Sequence, residues 1–215
     1  MKRYDIINGL INKFNYQDYL EIGLDFAKNY LRVNCKNKEC VDPYVYDYQQ
    51  TDEQLYIRNF VEENILTYKM TSDEFFATIP DDKMYDIIFI DGLHHEEQVG
   101  RDIINSLKHL RSGGAIVCHD CLPESYEAQL EEITTETWNG STWKAIPQLK
   151  FQGITYVTVD TDCGCAVIQF EGDKSKLFYP QRATYGYKDV FSNVSVRNIV
   201  MNVVTVDSFN NFLKQ

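Results

Sequence analysis

The chain is short of the residues that interrupt structure, with 5 prolines and 11 glycines in 215 positions. They are too scattered to form a linker, and no repeat or low-complexity tract stands in for one, so a single core is expected. A long apolar run is also missing, which excludes a membrane-spanning helix. The opening stretch, Met1 to Phe14, has two basic residues but no continuous apolar segment after them. It does not read as a signal peptide, so a cytoplasmic location is expected. Positive charge is in deficit: 21 Lys and Arg stand against 32 Asp and Glu, for a net charge of -11. Such a surface repels phosphate backbones and anionic lipid, so neither nucleic acid nor membrane is expected as a partner. No cluster of Lys and Arg stands out along the sequence. Of the six cysteines, Cys118 and Cys121 have metal-ligand spacing but no second pair to complete a zinc finger, and Cys163 and Cys165 are poorly spaced. Free, mostly buried thiols are the expectation.

What the chain does have is apolar bulk, including 15 Tyr and 12 Phe, which argues against disorder. Ile6, Ile7, Leu10, Ile11 and Phe14 recur at helical spacing. Tyr19 to Gly23 reads as a short buried strand, Phe26 to Val33 as a helix behind it, and Glu39 to Pro43 as a second strand. Asn64 to Met70 is a weaker strand, followed by the capping sequence Thr71-Ser72-Asp73-Glu74. Tyr85 to Asp91 is a continuous apolar run between polar ends. Glu96 to Leu110 carries Val99, Ile103, Ile104, Leu107 and Leu110 on one helical face. Gly113-Gly114 is a turn before the strand Ala115 to Cys118. Alternating strands and helices imply a parallel sheet with right-handed crossovers. Ile154 to Val159 and Cys163 to Phe170, separated by Asp160-Thr161-Asp162, read as a hairpin. The expected architecture is therefore α/β: a Rossmann-like three-layer sandwich whose mostly parallel sheet ends in an antiparallel pair. Residues 1–171 would form this unit, and residues 172–215 an extension packed on it as a cover over one edge or over the site.

Ligands of open α/β sheets bind beyond the carboxyl ends of the strands. Here those ends carry Glu21 and Gly23, then Asp42, Ser72 and Asp73, Asp91 with His94 and His95, and His119 with Asp120. Helix capping explains any one such residue, and explains five in succession less well. Asp42, at the end of the second strand, is placed to accept two ribose hydroxyls. The first loop, Gly23-Leu24-Asp25-Phe26-Ala27, lacks the G-x-G-x-x-G that cradles a pyrophosphate and adds a negative charge. A nicotinamide-dependent oxidoreductase is thereby disfavoured. S-adenosylmethionine, with its sulfonium and ammonium and no phosphate, suits these acids better.

The segments YLEIG, VDP, TSDEFF and YDIIFIDGLHHEEQVGRDIINSLKHLRSGGAIVCHDCLP together resemble the class I S-adenosylmethionine-dependent methyltransferases. The similarity is greatest to a bacterial subgroup, methyltransferase domain 24-like, that includes sugar and small-molecule O-methyltransferases. It spans about residues 17–170. The resemblance implies seven strands, with the sixth and seventh as the hairpin. It places Glu21 and Gly23 at the methionine end of the cofactor, Asp42 at the ribose and Ser72 and Asp73 near the adenine. Related metal-dependent enzymes hold Mg²⁺ after the fourth and fifth strands, where Asp91 and Asp120 stand. His119 replaces a carboxylate of that set, so the implied ligands are Asp91, His119 and Asp120, for Mg²⁺ or another divalent cation. His94 occupies the position of a catalytic His, with Asp91 beside it, and imidazole suits removal of a hydroxyl proton near neutrality. For His95 a loop role is expected. Trp138 and Trp143 could stack on a sugar ring or lie in the core. The implied activity is O-methylation of a small polyol, sugar or glycan. A binding module that keeps the fold without catalysis is the alternative.

Overall fold

The computed structural model describes residues 1–44, 51–179 and 181–215. Its centre is a seven-stranded sheet: β1 (Asp18–Ile22), β2 (Asn37–Val41), β3 (Tyr85–Ile90), β4 (Leu110–Cys118), β5 (Thr155–Val159), β6 (Cys165–Gln169) and β7 (Val203–Val204). The spatial order is β2-β1-β3-β4-β6-β5-β7. All neighbours are parallel except those of β6, which runs against both β4 and β5. The expected mixed sheet with its hairpin is therefore present.

Helices cover both faces: α1 (Arg3–Phe14), α2 (Asp52–Asn64), α3 (Ser72–Thr78), α4 (Glu96–Lys108), the short α5 (Ala145–Gln148), α6 (Tyr187–Phe191), α7 (Val194–Val200) and α8 (Val206–Lys214). Strand β3 shows why its sequence is an unbroken apolar run. Ile87 and Phe89 face the core under α1 and α8, whereas Ile88 and Ile90 face the core under α4. A strand buried on both sides has no polar face to alternate.

Four local expectations are corrected. Phe26 to Val33 is not an α-helix: Asp25 and Ala27 adopt left-handed backbone, and only Tyr30–Arg32 forms a 3₁₀ turn. The buried side chains there, Ala27, Tyr30 and Val33, recur every three residues, the 3₁₀ period. Asn64 to Met70 contributes a single bridge, Tyr68 to Val41. The seventh strand of the sheet is instead β7, from the tail, paired to β5 at the opposite edge. Gly113-Gly114 lies within β4 as a bulge, where Tyr85 pairs with Leu110 but Ile87 already pairs with Ala115. Helix α2, capped by the reciprocal Thr51 and Gln54 hydrogen bonds, was not anticipated. All six cysteines are free. No helix among the described residues is long and apolar enough to cross a membrane.

Candidate active site

Adjacency in the sheet brings three strand ends together. The Asp91 amide donates to the Ile22 carbonyl at 2.8 Å, and the His119 amide to the Ile90 carbonyl at 3.0 Å. The chain leaving β1 therefore runs against the chain leaving β3. Gly23 sits at that crossing with φ +85°, and a Cβ there would stand 2.1 Å from the Asp91 carbonyl oxygen. Only glycine meets both conditions.

Beyond β3 and β4 lies a cluster of acids and imidazoles. His94 Nε2 is 3.3 Å from Asp91 Oδ1 and 3.3 Å from Asp120 Oδ2. His119 Nδ1 is 3.4 Å from Asp91 Oδ1 and 3.0 Å from Asp120 Oδ2. Around this inner quartet stands a second tier of partners. Arg3 Nη1 donates to Asp91 Oδ2 at 2.6 Å, and Asn139 Nδ2 donates to Asp120 Oδ1. His94 Nδ1 faces the Trp138 carbonyl oxygen at 3.2 Å, while His119 Nε2 faces Asp162 Oδ2 at 3.6 Å. Asp120 itself holds left-handed backbone, φ +59°, a conformation that asparagine and aspartate tolerate better than other side chains.

The electrostatics follow from this crowding. Burial alone would raise the Asp91 carboxyl, but His119, His94 and Arg3 outweigh it and hold the group well below the usual carboxylate range. Burial alone would lower both imidazoles. For His119 the carboxylates of Asp91, Asp120 and Asp162 reverse that effect and raise it well above its ordinary value; for His94, Asp91 and Asp120 also outweigh burial and raise it. Asp162 is lowered by the neighbouring His119 ring and by hydrogen bonds from Arg3 and Lys2, which overcome its own burial.

Next to the cluster opens a cavity of about 410 Å³. Glu21, Asp25, Asp91 and Asp162 line it with acid, and Lys2, Arg3, Lys28 and Arg32 with base. The sequence showed no basic cluster because these four residues come from two separate segments that fold together. Glu21 is 1% exposed. It accepts from the Tyr19 hydroxyl and, at 3.0 Å, from Asn29 Nδ2. Burial dominates, and its carboxyl is raised to about 8.

The remaining sequence-derived site residues do not reach this cavity. Asp42 closes the backbone instead: Oδ2 accepts from the Leu24 amide at 2.7 Å and Oδ1 from the Tyr44 amide at 2.6 Å. Ser72 accepts from Gln98, and Asp73 pairs with Arg101, both on α4. His95 is the residue before α4. Trp143 is wholly buried, which makes it core, whereas Trp138 stacks on His94 with ring centroids 4.8 Å apart.

Three residues of the site were missed from sequence: Arg3, Asn139 and Asp162. Arg3 starts a helix patterned by its apolar stripe, and nothing local marks it for a site formed 88 residues later. Asn139 and Asp162 had fainter signals. Gly140 follows Asn139 with φ +58°, and a Cβ there would meet the His94 carbonyl oxygen at 2.0 Å. Asp162, Cys163 and Gly164 form a run of positive φ in the β5–β6 turn, as the Asp-Cys-Gly sequence permits.

Residues 24–121 match the family model described as a methyltransferase domain. No curated protein matches the chain significantly. Among solved structures, a Staphylococcus aureus protein proposed to be a caffeoyl-CoA O-methyltransferase superposes with a TM-score of 0.53 at 16% identity, over 77% of this chain and 81% of that one. A Podospora anserina methyltransferase bound to S-adenosylhomocysteine gives 0.52 at 12% identity, over 79% and 78%. A Bacillus cereus O-methyltransferase in complex with S-adenosylhomocysteine gives 0.51 at 12%, over 77% and 79%. At these identities the structural likeness is one of fold. Residues 24–121 are thus similar to a methyltransferase domain, and the chain shares the fold of these enzymes.

Proposed function

We propose that the protein transfers the methyl group of S-adenosylmethionine to a hydroxyl of a small acceptor, a polyol, sugar or glycan. The observation that carries this reading is the two-signed cavity beside the acid–imidazole cluster. The amino-acid end of the cofactor is zwitterionic, and an ammonium facing Glu21 with a carboxylate facing Arg3 or Lys28 would use both kinds of lining. A pyrophosphate would find no α-helix N-terminus after β1, because Asp25 and Ala27 break it, and this disfavours a nicotinamide cofactor.

In this reading the acceptor hydroxyl lies against Asp91, His94, His119 and Asp120, with the methyl donor on the Gly23 side. In-line transfer needs the two held in contact geometry, and rigid strand ends provide that. Trp138, stacked on His94, offers a wall against which a sugar ring could rest. The donor atoms of Asp91, His94 and Asp120 gather within 4.8 Å of one another with their outer atoms engaged, which suits a divalent cation, and His119 Nδ1 stands 3.0–3.4 Å from the same two carboxylates. A cation held there would lower the pKa of the acceptor hydroxyl.

The test is calorimetric titration with S-adenosylmethionine, S-adenosylhomocysteine and NAD, followed by a methyl-transfer assay over a panel of hydroxylated acceptors. Binding of the first two ligands and not the third supports the reading. Binding of none would leave a module that keeps the fold without the chemistry.

A further inference from the structure

We propose that His94 Nε2, His119 Nδ1, Asp91 Oδ1 and Asp120 Oδ2 are the four inner ligands of a late first-row transition cation, with zinc the best match, and that His94 is a ligand of that centre rather than a free general base.

Asp91, Asp120 and His94 have their far atoms hydrogen-bonded elsewhere and their near atoms turned inward, and His119 turns its near nitrogen the same way. The Trp138 carbonyl, 3.2 Å from His94 Nδ1, can only accept, so Nδ1 carries the proton and neutral His94 presents a lone pair at Nε2. His119 turns Nε2 toward Asp162 Oδ2, which likewise directs the lone pair of the neutral ring to Nδ1. Arg3 and Asn139 donate to the outer oxygens of Asp91 and Asp120. Each inner nitrogen therefore stands 3.0–3.4 Å from both inner carboxylate oxygens; in the metal-free protein the imidazoles take up protons against those carboxylates, and a cation would displace the protons and bind the same inner atoms. An orienting acceptor on the far nitrogen is the usual companion of a metal-bound imidazole.

His119 supplies the independent sign. Its side chain is 2% exposed, and neither ring nitrogen makes a hydrogen bond of acceptable geometry. A buried imidazole in that condition is costly, and a metal bond at Nδ1 removes the cost. Donors held tetrahedrally by bonds of about 2.0–2.1 Å stand about 3.3 Å apart, and the four nitrogen–oxygen separations of 3.0–3.4 Å match that value. Half nitrogen and half oxygen, the set suits zinc and its neighbours and is poor for Mg²⁺, which prefers oxygen throughout. A second group, His119, Asp162 and Cys165, also gathers within 4.8 Å. There Lys2 and Arg3 already occupy the Asp162 oxygens, so Asp162 acts as an outer partner and not as a ligand.

Where the acceptor hydroxyl meets this centre rests on the methyl-transfer reading; whether the cation binds does not. The experiment is equilibrium dialysis of the metal-free protein against Zn²⁺ and Mg²⁺, read by elemental analysis, with Co²⁺ loading read by its visible absorption. The expected results are one Zn²⁺ per chain, an affinity on the order of a hundredfold or more above that for Mg²⁺, and an intense four-coordinate Co²⁺ band. His94→Ala should weaken Zn²⁺ binding at least about tenfold and change the Co²⁺ spectrum. His119→Asp should keep a site but shift its preference toward Mg²⁺ and Mn²⁺. Circular dichroism and S-adenosylhomocysteine binding of each variant report folding and the cofactor side separately. The proposal is overturned if His94→Ala binds Zn²⁺ as the parent does with an unchanged Co²⁺ spectrum, if Mg²⁺ binds as tightly as Zn²⁺, or if the parent binds neither.

Discussion

The two halves of the strand-end rim are built differently. On the β3–β4 side the candidate catalytic and metal-binding side chains converge: the His94 and His119 rings each stand 3.0–3.4 Å from the carboxylates of both Asp91 and Asp120. On the β1–β2 side they disperse. Glu21 and Gly23 line the cavity, but Asp42 is spent on two backbone amides and Asp73 on a surface arginine. The difference follows from how each residue is carried. A side chain one or two positions past a central strand inherits its place from the sheet. One at the sheet edge, or past a strand reduced to a single bridge, depends on whatever its loop does.

Substitutions rank the two halves, starting with the largest effect. Asp91→Ala would leave Arg3, His94 and His119 without their shared counter-charge. In the metal-free protein it should cost about 3–5 kcal/mol of stability by denaturant unfolding and abolish methyl transfer. Near-parental stability would mean that the cluster is not self-neutralised as described. Glu21 comes next. A cofactor ammonium needs it ionised, yet its carboxyl titrates near 8. Affinity for S-adenosylhomocysteine should therefore rise between pH 6 and 8, up to about tenfold per pH unit, and Glu21→Gln should flatten the profile. Stability runs the other way. The folded pKa is raised, so this group's contribution is complete below the unfolded value near 4.5 and is lost as pH rises through about 8. Thermal unfolding across that window, with and without ligand, checks both signs.

Gly23→Ala should cost roughly 1–3 kcal/mol, because the new Cβ meets both the left-handed backbone and the Asp91 carbonyl. Asp42→Ala should cost a similar 1–3 kcal/mol by orphaning the Leu24 and Tyr44 amides. If it instead weakened cofactor binding with stability unchanged, Asp42 would return to the ribose role read from sequence. Asp73→Ala should be the smallest change, within about 1 kcal/mol in stability, since it removes only a half-exposed pair with Arg101. A large loss of cofactor affinity there would bring the adenine to α3 after all.

Much of this was legible in the sequence. Strands buried on both faces announce themselves as β3 does, and residues immediately after them fall where the topology says. Helix α4 was legible through its apolar stripe. The stretch 24–33 was not, because its helix-like apolar spacing could not reveal the positive φ of Asp25 and Ala27. Nor was the edge exchange that leaves residues 64–70 with one bridge and gives β7 the far side of the sheet. Pairing at an edge is decided by distant segments competing for one row of backbone groups, and a local pattern carries no record of that competition. Arg3, Asn139 and Asp162 were hidden for a related reason: each completes a site whose other members lie far along the chain.

Helix α1 has Arg3 at one end, bound to Asp91 and Asp162. Along its length it lies so close to α8 that a Cβ on Gly9 would come within 2.5 Å of a Leu213 methyl, and Phe14 at its other end meets Phe212. The carboxyl terminus and the site are thus the two ends of one lever. Whatever free energy couples a ligand at Arg3 to the docking of α8 acts equally in both directions. Amide hydrogen exchange in residues 206–214 should slow when the cavity fills, although no atom of that helix touches the cavity's contents.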